Sequence, residues 1–457
     1  MATLGLGNQN DVADLLAKAK NLHSRILFVL LAFIIYRLGT HIPLPGIDVA
    51  ALASYQTNLQ SGLFGLFNMF SGGAFSRMAI FALNIMPYIT ASIIIQLLAA
   101  SYPSLNELRK EGEVGRRKLN QYTRYLTVIL AMVQGFGLAS GIQYQTAMVG
   151  GEVVPLVLNP GFAFQIQTAL TITAGSLFLM WLGEQINTRG IGNGISLLIF
   201  AGIVAEFPRM LMRVVELART GSISELLVIA ILVGMVLAIF AIVFMETAIR
   251  KVAIQYPKRQ GMFGAVNSDA NHLPLKLNLA GVIPPIFASA LLMVPLTMAS
   301  YAPQAPWAQF VGQYLSPGHV PYLILFVSMI VFFSFFYVAT VAFNPTETAD
   351  NLKKQGAFIP GIRPGDSTAA YLDNLATRLT CIGAAYLAAV CAIPDLLHRD
   401  ATLPFYIGGT SLLIIVSVTI DTVARIQSAL IAQKYESLLK RTTLKGAKGS
   451  GLGLIRK

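Results

Sequence analysis

Residues 226–247 read LLVIAILVGMVLAIFAIVFMET, and no residue from Leu226 to Met245 is charged. A helix rising about 1.5 Å per residue carries that stretch across the roughly 30 Å hydrocarbon core of a bilayer. Working outward, comparable stretches lie at 26–43, 79–100, 125–142, 164–186, 191–207, 280–300, 321–343, 378–394 and 404–424. The whole chain agrees with them. It is 55% hydrophobic and 12% charged, with a mean hydropathy of +0.65. Soluble domains carry about 25% charged residues. Helix is the state expected for all ten spans, because backbone polar groups in lipid need partners within the segment. The alternation of a membrane barrel is missing. The fold class is therefore an all-α membrane protein with about ten transmembrane helices.

The basic residues set its orientation. With the N-terminus inside, all 33 Lys and Arg except Arg37, Arg77, Arg209, Arg213, Arg219 and Arg399 fall on one side. That asymmetry predicts cytoplasmic termini and an even number of spans. The first span is too long for a signal-peptide core and has no small-residue cleavage site after it. Residues 1–24 read as an amphipathic helix on the cytoplasmic face or as a disordered tail. Cys381 and Cys391 sit ten residues apart in one span, about 15 Å along a helix, too far for a disulfide.

Several chemistries are disfavoured. Ion-coupled transport needs ionisable groups at mid-membrane. Glu184, Glu246 and Asp421 sit at the cytoplasmic ends of spans, and Arg37 sits at an outer end, where snorkelling charges collect. A solute transporter, the alternative class, would need a polar mid-membrane site. An intramembrane enzyme would need a nucleophile and a base, and no such set is visible. No cofactor and no metal cluster is expected. The run Gly190-Ile191-Gly192-Asn193-Gly194 lies between two spans, so it reads as a tight turn rather than a phosphate cradle.

Residues 61–77, SGLFGLFNMFSGGAFSR, are apolar but too short to cross. Such half-segments are re-entrant or interfacial, and the physics leaves both open here. The loops 101–124, 248–279 and 344–377 are basic and rich in Pro and Gly. Topology alone explains their charge. Their turn residues suit a rigid docking surface for an anionic partner, such as ribosomal RNA or an acidic motor.

Long stretches of the chain resemble the SecY family, the central subunits of the bacterial Sec protein-conducting channel. They are IPLPG (42–46), NMFSGGAFSR (68–77), IFALNIMPYITASIIIQLL (80–98), EGEVGRRKLNQYTRYLT (111–127) and MWLGEQINTRGIGNGISLLIFAGIV (180–204). Further on come HLPLKLNLAGVIPPIFAS (272–289), FNPTETADNLKKQGAFIPGIRPG (343–365) and PFYIGGTSLLIIVSVTIDTVARIQ (404–427). The resemblance implies two pseudo-symmetric five-helix halves around an hourglass pore. These are residues 25–207 and 225–425, joined by an external hinge loop at 208–224. They are flanked by the N-terminal segment 1–24 and a basic cytoplasmic tail, 426–457.

The resemblance also assigns sites. Ile85, Ile89, Ile195, Ile199, Ile286 and Ile414 would form the pore ring, where stiff branched side chains can close an aqueous path by dewetting. Leu63, Phe64, Phe67, Asn68, Met69, Phe70, Ser71, Gly72 and Gly73 would belong to a plug. Thr90, Gln134, Asn278 and Val294 would lie at a lateral gate; some relatives carry a bulky aromatic in place of Val294. Lys258, Arg259, Lys353, Lys354 and Arg363 would meet the SecA motor or the ribosome. The expected partners are SecE and SecG subunits, SecA, the ribosome, secretory preproteins with their signal peptides, and membrane lipids. The expected function is a passive conduit for unfolded chains.

Overall fold

The computed structural model describes residues 9–59, 68–149, 152–221, 225–255, 271–301, 305–315, 319–401 and 408–449. Its helices are α1 (Gln9–Gly39), α2 (Val49–Leu59), α3 (Met86–Ser101), α4 (Pro103–Lys110), α5 (Glu113–Ile142), α6 (Phe162–Arg189), α7 (Gly194–Arg219) and α8 (Glu225–Thr247). They continue with α9 (Ile283–Tyr301), α10 (Pro306–Tyr314), α11 (Val320–Tyr337, extended by a π turn Val338–Ala342), α12 (Pro345–Lys354), α13 (Asp366–Ala401) and α14 (Gly409–Gly449). Among the described residues, eight helices are long and apolar enough to cross a membrane. The pair α3–α4, bent by 100°, makes up to nine, and α9 contains a shorter apolar helix, Ile283–Ala299. The ten spans read from the sequence each fall on one of these helices.

Two five-helix groups are visible in the packing. The first holds α1, α3, α5, α6 and α7; the second holds α8, α9, α11, α13 and α14. They meet along two lines. On one, α9 packs on α3 and α5; on the other, α14 packs on α7 and α1. A continuous apolar core runs through both groups and includes Ile85, Ile199, Phe287, Phe333 and Ile414. Across α5 and α6, Arg124 donates to both carboxylate oxygens of Glu184, at 3.0 and 2.8 Å.

Several boundaries differ from the sequence reading, each for a local reason. The span expected at 79–100 is helical only from Met86. Pro87 is in the first turn, where its missing N–H costs nothing. Before it, Met78 and Asn84 have positive φ of 44° and 49°, which ends any helix approaching from the N-terminal side. The hinge expected at 208–224 is mostly helix, because α7 continues through Pro208 to Arg219. Glu206 and Arg209, near the end expected for that span, lie one turn apart within the continued helix at 3.7 Å. Residues 9–24, left open between a surface helix and a disordered tail, are the first turns of α1 and continuous with the first span.

Two antiparallel hairpins add to the helices. β1 (Thr146–Val149) pairs with β2 (Glu152–Pro155), and β3 (Ile249–Ile254) pairs with β4 (Asn271–Lys276). The second hairpin sits on a small core of its own, with Val252, Ile254 and Leu275 packed on Leu352, Ile359 and Leu372. Gln255 and Phe358 exchange backbone hydrogen bonds of 2.9 Å, locking the hairpin to the segment after α12. The described parts of the loops 248–279 and 344–377 thus form a folded platform at one end of the bundle.

The glycine run between α6 and α7 is a close-packed turn. Asn187 Oδ1 accepts from the Gly194 amide at 2.7 Å, and Asn193 caps α7 by accepting from Ile195 N. A side chain at Gly194 would strike the Gly183 carbonyl. Gly175 on α6 is under the same constraint, since a Cβ there would collide with the carbonyl of Ile80. Gly234 on α8 has nothing within 4 Å. Gly175→Val is therefore expected to destabilise the protein by at least about 1–3 kcal/mol, the usual cost of overpacking. Gly234→Val should be tolerated. Thermal unfolding in detergent, followed by loss of the monodisperse elution peak, checks the contrast.

Candidate channel waist and the segment that caps it

The chain between α2 and α3 enters the bundle. Of the half-segment 61–77, residues 61–67 lie outside the described structure, and with them Leu63, Phe64 and Phe67. The rest is inside the protein: Asn68, Met69, Phe70, Ser71, Gly72 and Gly73 are all buried. Gly72 and Gly73 take φ of 64° and 79°, left-handed values that suit glycine. Their bareness also permits contact with α7. A Cβ on Gly72 would lie 2.9 Å from the Gly202 Cα, and one on Gly202 would lie 2.8 Å from the Phe70 carbonyl.

A buried, irregular backbone must find partners for its polar groups. Part of the answer is internal. The Ser76 amide donates to Asn68 Oδ1 at 3.0 Å, the Phe75 amide to Ser71 Oγ at 3.0 Å, and the Gly73 amide to the Asn68 carbonyl at 2.8 Å. The rest comes from outside the loop's tip. Three successive carbonyls are each held by side chains. Asn84 Nδ2 donates to Phe70 O at 2.5 Å, and the Tyr36 hydroxyl donates to Ser71 O at 3.1 Å. Arg37 Nη1 and Arg77 Nη2 both donate to Gly72 O, at 2.9 and 2.8 Å. Arg77 Nε also reaches Thr40 O at 3.1 Å. Arg37, read from the sequence as a snorkelling charge, is thus also a ligand of this loop. Tyr36, Asn84 and Arg77 went unread as site residues. A lone Asn inside IFALNIMPYI and a lone Arg after SGGAFS were the available signals.

Below this loop lies the isoleucine cluster. Ile85, Ile89, Ile199 and Ile286 line one small gap together with Phe70, Asn84 and Met86. Its volume is about 10 Å³, at the lower limit for a single water. Ile414 is buried in the same core, and Ile195 packs against it half-buried. The six isoleucines come from four helices: Ile85 caps α3 and Ile89 is on it, Ile195 and Ile199 are on α7, Ile286 is on α9 and Ile414 on α14. The gap spans both five-helix groups.

The seam residues are less uniform. Thr90 is buried and donates to Met86 O at 3.1 Å, one turn back in its own helix. Gln134 and Val294 are half-buried on α5 and α9. Asn278 departs from the expectation of a contact across the seam. Its amide donates to Glu246 Oε1 at 2.8 Å and to Gly281 O at 3.1 Å, so both bonds stay within the second group. The cause is its place just after β4, where the chain turns into α9 beside the end of α8. Asn278 and Glu246 line a cavity of about 220 Å³ with Asn193, Lys276, Asp421 and Arg425. Lys276 pairs there with Asp421 at 3.7 Å. On the platform, Lys353, Lys354 and Arg363 are exposed. Lys258 and Arg259 lie outside the described residues.

The arrangement is that of a helical membrane channel, two bundles closed around an apolar waist with a folded-back loop on one side. Solved structures share that fold. The chain is similar in fold to one described as the structure of a protein conducting channel (TM-score 0.63, 18% identity, 90% of this chain and 93% of that one). It is also similar to Sec61 in the canine ribosome-channel complex from the endoplasmic reticulum (TM-score 0.57, 17% identity, 90% and 93%). The SecY family model matches residues 79–423, and the chain belongs to that family. The protein translocase subunit SecY of Escherichia coli K12 is 49% identical over 428 residues, covering 93% of this chain and 95% of that protein. Its counterpart in Rickettsia conorii is 50% identical over 426 residues, covering 93% and 97%.

The bonds to the buried loop generate one prediction. Asn84→Ala leaves the Phe70 carbonyl without that donor, at a cost of about 1–3 kcal/mol borne by the closed state. Ion conductance of reconstituted vesicles should rise several-fold over the parent channel. Arg77→Lys, which keeps a donor near Gly72 O, should leak less than Arg77→Ala.

Proposed function

We propose that this chain is the protein-conducting channel of a bacterial cytoplasmic membrane, with both termini in the cytoplasm. Unfolded secretory polypeptides pass between its two five-helix groups, and signal or transmembrane segments leave sideways into lipid. The observation that carries the reading is the gap of about 10 Å³ ringed by isoleucines from both groups. Apolar walls around so small a space hold out water and ions without any charged gate. The same walls can part around a chain, because they bond to nothing in particular. Ile85, Ile89, Ile195, Ile199, Ile286 and Ile414 act as the ring, and the half-segment 61–77 acts as the plug.

The lateral exit is the line where α9 meets α3 and α5, with α11 beside it. Thr90, Gln134 and Val294 lie on helices of that line. Asn278 serves it indirectly by fixing the start of α9 to Glu246. A stretch of roughly 20 apolar residues gains free energy by moving from the pore into lipid, so opening this line sorts segments by hydropathy. The channel itself hydrolyses nothing. The driving force comes from a partner on the platform, either SecA or a translating ribosome. Lys353, Lys354 and Arg363, with Lys258 and Arg259 on the neighbouring loop, supply the positive surface for it. A SecE subunit clamps the two groups and SecG lies at the periphery. A partner or signal opens the channel only by its differential affinity for the open state.

The ring is tested directly. Ile89→Asn combined with Ile414→Asn puts two amides where water is excluded. Reconstituted vesicles carrying the double variant should leak ions, and cells carrying it should export proteins with defective signal sequences. Vesicles as tight as the parent's would remove these residues from the ring.

A further inference from the structure

Helix α10 does not cross anything, yet it carries the marks of a membrane contact. It lies between α9 and α11, at the end of the bundle opposite the β3–β4 platform. Its sequence is PWAQFVGQY. At about 100° per residue, the eight positions after Pro306 divide into three stripes. Ala308, Val311 and Gly312 face the protein, Ala308 fully buried and the other two half-buried, and α10 packs there on α9. Trp307, Phe310 and Tyr314 form a second stripe, and all three are exposed. Gln309 and Gln313 form the third and are exposed as well.

The rings of Phe310 and Tyr314 touch within the aromatic stripe, tilted by 40° with centroids 4.7 Å apart. The stripe continues apolar surface on the flanking helices, where Met298 of α9 and Val320 and Ile324 of α11 are also exposed. Charge separates this connection from the others at the same end. Between Lys276 and Glu347 the chain has no Asp, Glu, Lys or Arg, whereas the other connections there carry Asp48, Glu152, Arg219 and Arg399. A helix held in water would have no use for three adjacent exposed aromatics and no charge. Tryptophan and tyrosine favour the boundary between headgroups and acyl chains, and glutamines can face the water above it.

We propose that α10 is an interfacial anchor, lying flat in the lipid headgroup region with Trp307, Phe310 and Tyr314 dipped toward the acyl chains. It would tether that end of α9 to the bilayer. The inference requires only that the chain span a membrane, and it stands or falls apart from the channel reading.

The chain has two tryptophans, Trp181 and Trp307, which makes the test clean. The full-length Trp181→Phe protein is reconstituted in phosphatidylcholine vesicles with bromine either near the glycerol end or near the methyl end of the acyl chains. A protein carrying Trp181→Phe and Trp307→Phe supplies the background. Trp307 fluorescence should fall roughly twofold with the shallow bromines and less with the deep ones, as for a ring about 5–10 Å into the boundary. Aqueous iodide should quench it weakly. No bromine quenching with strong iodide quenching would put the stripe in water and overturn the proposal. No quenching by either would mean that protein covers it, which overturns it as well. Stronger quenching by the deep bromines would exclude an interfacial depth.

Discussion

From Ser71 to Ile85 the backbone is neither helix nor strand, and nearly all of it is buried in a bundle that spans a membrane. Amides and carbonyls in that setting cannot fall back on lipid. The carbonyls of Phe70, Ser71 and Gly72 are met by Asn84, Tyr36, Arg37 and Arg77, and much of the surrounding structure follows from that need. Tyr36 and Arg37 close α1. Asn84 takes its left-handed conformation just before Pro87 starts α3. Gly202 gives α7 the bare surface on which the loop rests. The loop can withdraw only if this whole set of donors is answered in some other way.

The waist obeys a different rule. Its isoleucines satisfy no polar group and make no directional bond, so the barrier they form is purely one of excluded water. Such a barrier is indifferent to the sequence of whatever parts it, while the polar ligands around the loop provide the specificity of the closed state. On the proposed reading the two closures would divide the labour, one holding a definite geometry and the other yielding to any chain.

The spans were the most legible part of the sequence, because hydropathy over 226–247 or 321–343 is a one-dimensional property. The ends of spans were less so. Whether α7 stops at Phe207 or runs to Arg219 is not reported by hydropathy, which falls at Glu206, Arg209 and Arg213 although the helix continues through them. The β3–β4 hairpin was unread because IRKVAI and NHLPLK are short and become strands only on the apolar side chains of α12 and α13. The isoleucine set was visible only by resemblance, since a lone Ile in a span is ordinary packing until its partners from other helices are in place. The partner of Asn278 was illegible for a related reason. It sits beside a seam helix, but its partner Glu246 is on α8, thirty-two positions back, and no local pattern joins them.

Phe70 belongs at once to the folded-back loop and to the wall of the small gap among the isoleucines. The loop therefore cannot leave without stripping one face from the seal beneath it, and the seal cannot widen without loosening the loop's seat. Unlatching and dilation are thermodynamically linked through that one ring, so partial opening of either would be penalised. If the loop and the isoleucines close the pore as proposed, such a conduit would tend toward all-or-none behaviour, and a resting membrane would keep its ion gradients because half-open forms would be scarce.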